Sequence, residues 1–256
     1  MDTLIGVILG LLAIALAMVY KEVSFSVLIN PAALLVIFGG TIAAVTVAVP
    51  GKELKNVPKL FGKAFGKVKG MTTKEAVQKL MDFSNTVRKE GLLALEPMVK
   101  SINDKFMQRG VALLVDGCNS DFIRKTLAED IDSMRERHHA GAAIFSQAGT
   151  YAPTLGVLGA VLGLIAALGN MDDIAKLGHA ISAAFVATVL GIFTGYVLWH
   201  PIANKLKRKS ADEISTKYVV MEGIIALSEG INPRMLSELL NSLVPAKDAY
   251  DTTDYN

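Results

Sequence analysis

Residues 150–201 read TYAPTLGVLGAVLGLIAALGNMDDIAKLGHAISAAFVATVLGIFTGYVLWHP. Two apolar runs, Tyr151–Leu168 and His179–Trp199, flank a short polar turn, Asn170–Lys176. At about 1.5 Å of rise per residue, each run as a helix crosses a hydrocarbon core of roughly 30 Å. Neither run contains Asp, Glu, Lys or Arg. Gly156, Gly159 and Gly163 recur at helical spacing in the first, Gly191 and Gly195 in the second. Gly159–Gly163 and Gly191–Gly195 are G-x-x-x-G pairs, which let helix backbones approach closely in lipid. The stretch is a hairpin built to pack against other helices.

The rest of the chain repeats this design once, at its start. Leu4–Val19 is almost wholly apolar. Its length would suit a signal peptide, but Met1, Asp2 and Thr3 supply no cationic region and Tyr20, Lys21 and Glu22 supply no cleavage site, so an uncleaved spanning helix is expected. Asn30-Pro31 breaks the chain, Pro31–Val49 forms a second apolar run, and Pro50-Gly51 ends it. The composition agrees: 52% of the 256 residues are hydrophobic, yet 20% are charged, so a polar part must accompany the spans. A net charge of +2 gives no argument for nucleic acid. A lone cysteine, Cys118, excludes an internal disulfide and a cysteine-only metal site.

After Pro50, Lys52, Lys55, Lys59, Lys63 and Lys67 recur every three or four residues, with Leu54, Val57, Leu60, Phe61, Phe65 and Val68 between them. This predicts a basic amphipathic helix over 52–69, suited to lie along anionic headgroups. From Met71 to Gln147 the pattern is polar and helical. Thr73–Glu90 is amphipathic, Gly91 interrupts it, Leu92–Lys105 continues, and Val111–Asp116 is a short apolar element. Ser120 or Asp121 is expected to cap a long helix that reaches towards the third span. His138 and His139 are adjacent, so they point in different directions and make no metal site. Beyond Pro201 come Lys205, Lys207, Arg208 and Lys209, a helix to about Gly230, a break at Asn232-Pro233, a last helix to about Leu243, and an Asp-rich end expected to be disordered.

The expected fold is therefore all-α: a polytopic membrane protein with four transmembrane helices and a helical cytoplasmic domain. Residues 1–50 form one hairpin (spans about 4–20 and 31–49). Residues 51–147 form the cytoplasmic domain, 148–201 a second hairpin (spans about 150–169 and 179–200), and 202–256 cytoplasmic helices and a tail. The two short loops carry only Lys21 and Lys176, while the long segments carry nearly all other cations near span ends. The positive-inside rule then puts both termini in the cytoplasm.

The spans hold no carboxylate, lysine or arginine, although proton relays need such groups. No P-loop and no nucleophile–base constellation occurs, so an enzyme is not expected. The polar span positions are hydroxyls such as Thr150, Thr154, Thr188 and Thr194, most of them expected to bond their own helix backbone. Pro153 either opens the third span as its first helical residue or sits within it and frees a carbonyl.

QAGTYAPTLGVLGAVLGLIAAL (147–168), LGHAISAAFVATVLGIFTGYVLWHPIANKLKRKS (177–210) and RKEGLLALE (88–96) carry a resemblance. The chain resembles the MotA family of flagellar stator subunits, in its Gram-positive-like branch, within the superfamily of ExbB and TolQ. The RKEGLLALE stretch is one that ExbB-like proteins do not share. The resemblance implies a homopentamer in the bacterial plasma membrane around helices of MotB. MotB would be a single-span partner that brings an intramembrane aspartate and a peptidoglycan-binding domain. It implies that ion flow turns the pentamer and that the cytoplasmic domain pushes the rotor protein FliG. By the same resemblance Pro153 and Pro201 are the coupling prolines, and Arg88 and Glu96 are the rotor-facing charges. Thr188 faces the partner's aspartate, with Thr150 and Ala160 on the ion pathway. Sodium-driven relatives place a threonine where this chain has Ala160, so protons are expected rather than sodium. No other cofactor is implied, and membrane lipids are the remaining partner. Two other readings are an ExbB- or TolQ-like energiser of envelope transport and a non-conducting membrane scaffold.

Overall fold

The computed structural model describes residues 2–66 and 70–251, with side chains from residue 5 onward, and is all-helical. The helices in order are α1 (Asp2–Tyr20), α2 (Pro31–Ala48), α3 (Gly51–Leu54), α4 (Val57–Phe65) and α5 (Thr73–Glu90). They continue as α6 (Glu96–Val99), α7 (Lys105–Val115), α8 (Ser120–Leu168), α9 (Ile174–Ser228) and α10 (Pro233–Leu243). By length and composition α2, α8 and α9 are long and apolar enough to cross a membrane, and Ile5–Tyr20 is a shorter apolar helix.

Side-chain caps set most boundaries. Asn30 Oδ1 accepts the Ala33 N–H at 3.0 Å and Pro31 opens α2. Thr72 and Glu75 form a reciprocal capping box at the start of α5. The bonds from the Thr72 backbone N–H and hydroxyl hold the Glu75 carboxyl below its ordinary range. Asp173 caps the start of α9, where N–H donation from Lys176 is the largest cause lowering its pKa. Asn232 caps α10.

Several boundaries differ from the sequence expectation. The basic helix expected over 52–69 breaks at Lys55–Asn56, because Pro58 sits at the second position of a new helix; Lys67 and Val68 lie outside the described residues. Leu92–Lys105 is not one helix. A 3-10 turn, Leu92–Leu95, leads into the four-residue α6, and Asp104 caps a fresh start at Lys105. The apolar element expected at Val111–Asp116 is the end of this longer α7. Asn119, not Ser120 or Asp121, caps α8, its Oδ1 accepting the Phe122 N–H at 2.8 Å. The fourth apolar run begins its helix at Ile174, five residues before His179. Pro201 does not end that helix, which runs on to Ser228. A π turn at Thr194–Trp199 widens the coil just ahead of it, and the His200 N–H bonds back to Gly195 O. Beyond this widened turn the donor that proline lacks is absorbed without a break. Asp254 and its neighbours from 252 onward lie outside the described residues.

The chain forms two compact units, one drawn from the described residues of Met1–Lys67 and His138–Arg208, the other from those of Val68–Arg137 and Lys209–Asn256. The second unit has the larger core. Leu80, Met81, Leu95, Met107 and Ile224 are fully buried, as are Ile123, Leu127 and Ile131 along one face of α8. Asp104 ties this core together: Oδ1 caps α7 while Oδ2 accepts from Lys217 Nζ, with both side chains largely buried. Lys217 also lies 5.4 Å from the Phe106 ring centre.

The first unit is built on closeness of backbones. A Cβ added at Gly159 would lie 2.9 Å from Ala187 Cβ, and one at Gly163 2.9 Å from Ala184 Cβ. At Gly191 it would meet Ala152 O and Gly156 Cα at 2.8 Å. These pairings descend on α8 as they ascend on α9, so the two segments pack antiparallel through a seam of small residues. At one end, Phe145 meets Phe61 edge-on with centres 4.9 Å apart, and Ala64, Ile202, Ala203 and Leu206 are buried with them. Asn30, Asn170 and Lys176 share a groove with Gly163. The short loops of both hairpins thus lie together, away from the end where α4 meets the residues after Trp199.

Candidate functional site

Pro153 lies inside α8, which settles the alternative left open by the sequence. Its ring removes the N–H that would have bonded the carbonyl of Gly149, one turn earlier. That carbonyl faces Gly195: a Cβ there would sit 2.8 Å from Gly149 O and 2.8 Å from Pro153 Cγ. Gly195 must therefore be glycine for Pro153 and the released carbonyl to reach the facing helix. Gly149 itself gives room to the His200 ring, whose atoms would lie 2.8–2.9 Å from an added Cβ. His200 in turn sits beside Tyr196, ring centres 5.6 Å apart. The glycine spacing points to Gly195, but not to Gly149. The signal available for Gly149 was its place four residues before a proline.

Thr188 is half-buried and donates its hydroxyl to Ala184 O at 3.3 Å, which leaves the oxygen able to accept. Ala160 is half-buried too. Each follows by one residue a member of the contacting pair Gly159–Ala187. A helix turns about 100° per residue. In antiparallel helices that turn carries both following residues to the same side of the seam. Ala160 and Thr188 therefore share one margin of it, beside the exposed row Phe185, Val189 and Ile192. Thr150 is exposed and donates to Ser146 O at 3.1 Å; Thr154 and Thr194 likewise bond their own helix. Thr194 lies in the π turn and is buried. Pro201 is exposed and stands apart from Pro153's contact with Gly195.

Arg88 and Glu96 belong to the second unit and flank one sharp turn. Arg88 lies in the last turn of α5, Glu96 starts α6, and Gly91 between them has φ +84 and ψ 171, a conformation reserved for glycine. Leu95, fully buried, pins the turn to the core. Both charged side chains are exposed, and neither forms an ion pair among the described residues. Leu93 projects from the same turn at 69% exposure.

Residues 4–91 match the Motility protein A N-terminal family, and residues 98–218 match the MotA/TolQ/ExbB proton channel family. Motility protein A of Bacillus subtilis is 54% identical over 246 residues, 96% of this chain and 91% of that protein. The chain belongs to the MotA/TolQ/ExbB family. Chemotaxis protein PomA of Vibrio alginolyticus is 34% identical over 240 residues, 94% of this chain and 93% of that one. Among solved structures, the flagellar MotAB stator complex from Bacillus subtilis contains a chain of 54% identity and TM-score 0.89, with 96% of each chain covered. A chain of C. jejuni MotAB matches at 29% identity and TM-score 0.91, again over 96% of each. The similarity thus extends through both units.

Proposed function

We propose that this chain is the stator subunit of a flagellar motor, which with a MotB-type partner couples ion flow across the inner membrane to rotation of the rotor. The observation that carries this reading is the similarity to a stator-complex subunit over 96% of both chains. Five copies surround the partner's helices, and the apolar helices α1, α2, α8 and α9 form four spans with both termini in the cytoplasm. The seam between α8 and α9 presents Thr188 and Ala160 to the partner, whose aspartate supplies the acid that the spans lack. Thr150 lies on the same pathway. Thr188 accepts from the partner's carboxyl group when that is protonated, or from its water, through the hydroxyl oxygen's free lone pairs, and the coupling ion is the proton. The contact of Pro153 and the Gly149 carbonyl with Gly195 is the part of the seam that shifts when the carboxylate changes charge, with Pro201 following beyond the π turn. Arg88 and Glu96, held by the Gly91 turn, meet complementary charges on the FliG rotor protein.

Deleting the gene tests the reading directly. Cells should still assemble flagella and fail to swim, and a plasmid copy should restore swimming. Cells that swim normally, or that lose their flagella, would overturn it.

A further inference from the structure

The sequence predicts a basic amphipathic helix suited to lie along anionic headgroups, and the structure packs the apolar face of its α4 part against the protein. Ala64 is 1% exposed, and Leu60 and Phe61 pack with Phe145, Ile202 and Leu206 of the same unit. Helix α4 is therefore fastened to the protein and turns its other face outward. Lys52, Lys55 and Lys59 are exposed on α3, α4 and the turn between them, and Lys207 and Arg208 are exposed on the part of α9 that follows the packed residues Ile202–Leu206. None of these five forms an ion pair among the described residues. The only acid in residues 51–66 and 200–208 is Glu53. Phe65, stacked on Phe61, remains 39% exposed beside these cations.

We infer that this surface is a docking platform for anionic phospholipid headgroups. Packing between α4 and Ile202–Leu206 brings basic groups from two distant stretches of sequence to the same end of the unit. That end lies next to the span ends at Ala48 and Trp199, where headgroup phosphates lie in a bilayer. Cations clustered just beyond spans attract anionic lipid, at about fivefold in affinity for each near the surface. Phe65 supplies an aromatic side chain suited to the headgroup–acyl boundary. The platform anchors by charge rather than by inserting the helix, because the inserting face is already occupied. This inference rests on the four-span reading and needs no ion flux or rotor contact.

The test uses the complex with its MotB-type partner, reconstituted in vesicles of equal parts phosphatidylcholine and phosphatidylglycerol. It is then excised with its surrounding lipid and the retained lipids are quantified. Phosphatidylglycerol should be enriched several-fold over the bulk ratio, less so at high salt. K52Q/K55Q/K59Q should lower the enrichment clearly, with Lys207 and Arg208 keeping a remainder, while the complex stays intact by size exclusion, and the matching Lys→Arg variant should keep the full enrichment. No enrichment in the parent, or unchanged enrichment in the Gln variant, would overturn the inference. So would a Gln variant that keeps its lipid but loses binding to the purified rotor protein, since the surface would then be a protein interface. Normal swimming of cells that lack the gene, with phosphatidylglycerol still enriched around the parent complex, would count against the stator reading alone.

Discussion

Thr188 has one proton to give and gives it to its own backbone. What remains to it is an acceptor oxygen, so on the proposed pathway a hydroxyl matters there more than bulk. Thr188→Ala should lower ion flux while leaving assembly intact, and Thr188→Ser should retain most of the flux. Flux through vesicles beside co-purification with the MotB-type partner checks this; equal flux in the alanine variant would remove Thr188 from the pathway. Lys217 shows how a single residue holds the other unit. Its ammonium is buried against Asp104, and removing one partner of such a pair leaves an uncompensated charge at a cost of about 3–5 kcal/mol. Lys217→Ala should lower the melting temperature clearly. Pairing it with Asp104→Asn should recover part of the loss, although the cap on α7 is weakened by the second change. Leu93 invites a milder prediction. An exposed leucine between two exposed charges is the pattern of a docking surface. Leu93→Ala should weaken rotor binding without changing stability, whereas Arg88→Glu and Glu96→Lys should each impair swimming through like-charge repulsion.

At the scale of elements, the seam between α8 and α9 decides what the prolines can do. Pro153 restored to leucine regains an N–H for Gly149 O, but its side chain must then fit where the proline ring already crowds Gly195. Pro153→Leu is expected to insert, co-purify with its partner and deliver little torque. Pro201→Leu should be milder, because the Pro201 ring is exposed and the π turn ahead of it remains. If Pro153→Leu loses motility only by vanishing from the membrane, the proline is structural. Most of this layer was legible in the sequence: apolar runs without charge, glycines at helical spacing and Pro/Gly breaks gave the apolar helices, and α5 and α10 carried their own caps. The π turn was not legible, because nothing local in Thr194–Trp199 distinguishes a five-residue bond from a four-residue one. Pro201 consequently looked like a terminator. The breaks at Lys55–Asn56 and Lys100–Asp104 were missed for the opposite reason: amphipathic spacing persists across them, while Pro58 and the Asp104 cap interrupt the backbone. Thr188, Ala160, Arg88 and Glu96 came from resemblance alone. As bare residues they are a hydroxyl bonded to its helix, a methyl group and two solvated charges.

For the whole molecule, the question is which ion it passes, and the answer depends on oxygen supply. A sodium ion that sheds its water must receive several oxygen ligands in return. On the seam margin this chain offers the lone pairs of Thr188 and, from its neighbour Ala160, only a methyl group. Thr194 is buried within the π turn. The apolar stretches 150–169 and 179–200 contain no carboxylate to complete a cation site. A proton needs far less: one carboxylate from the partner and an acceptor or water to orient it. Swimming speed should accordingly follow the proton-motive force, fall when an uncoupler is added, and stay constant when external sodium is replaced by potassium. Ala160→Thr adds one hydroxyl to the margin and should leave speed independent of sodium, since a single added ligand does not build a full coordination shell. Speed that saturates with external sodium in the parent chain would overturn the proton assignment and leave the stator reading in place.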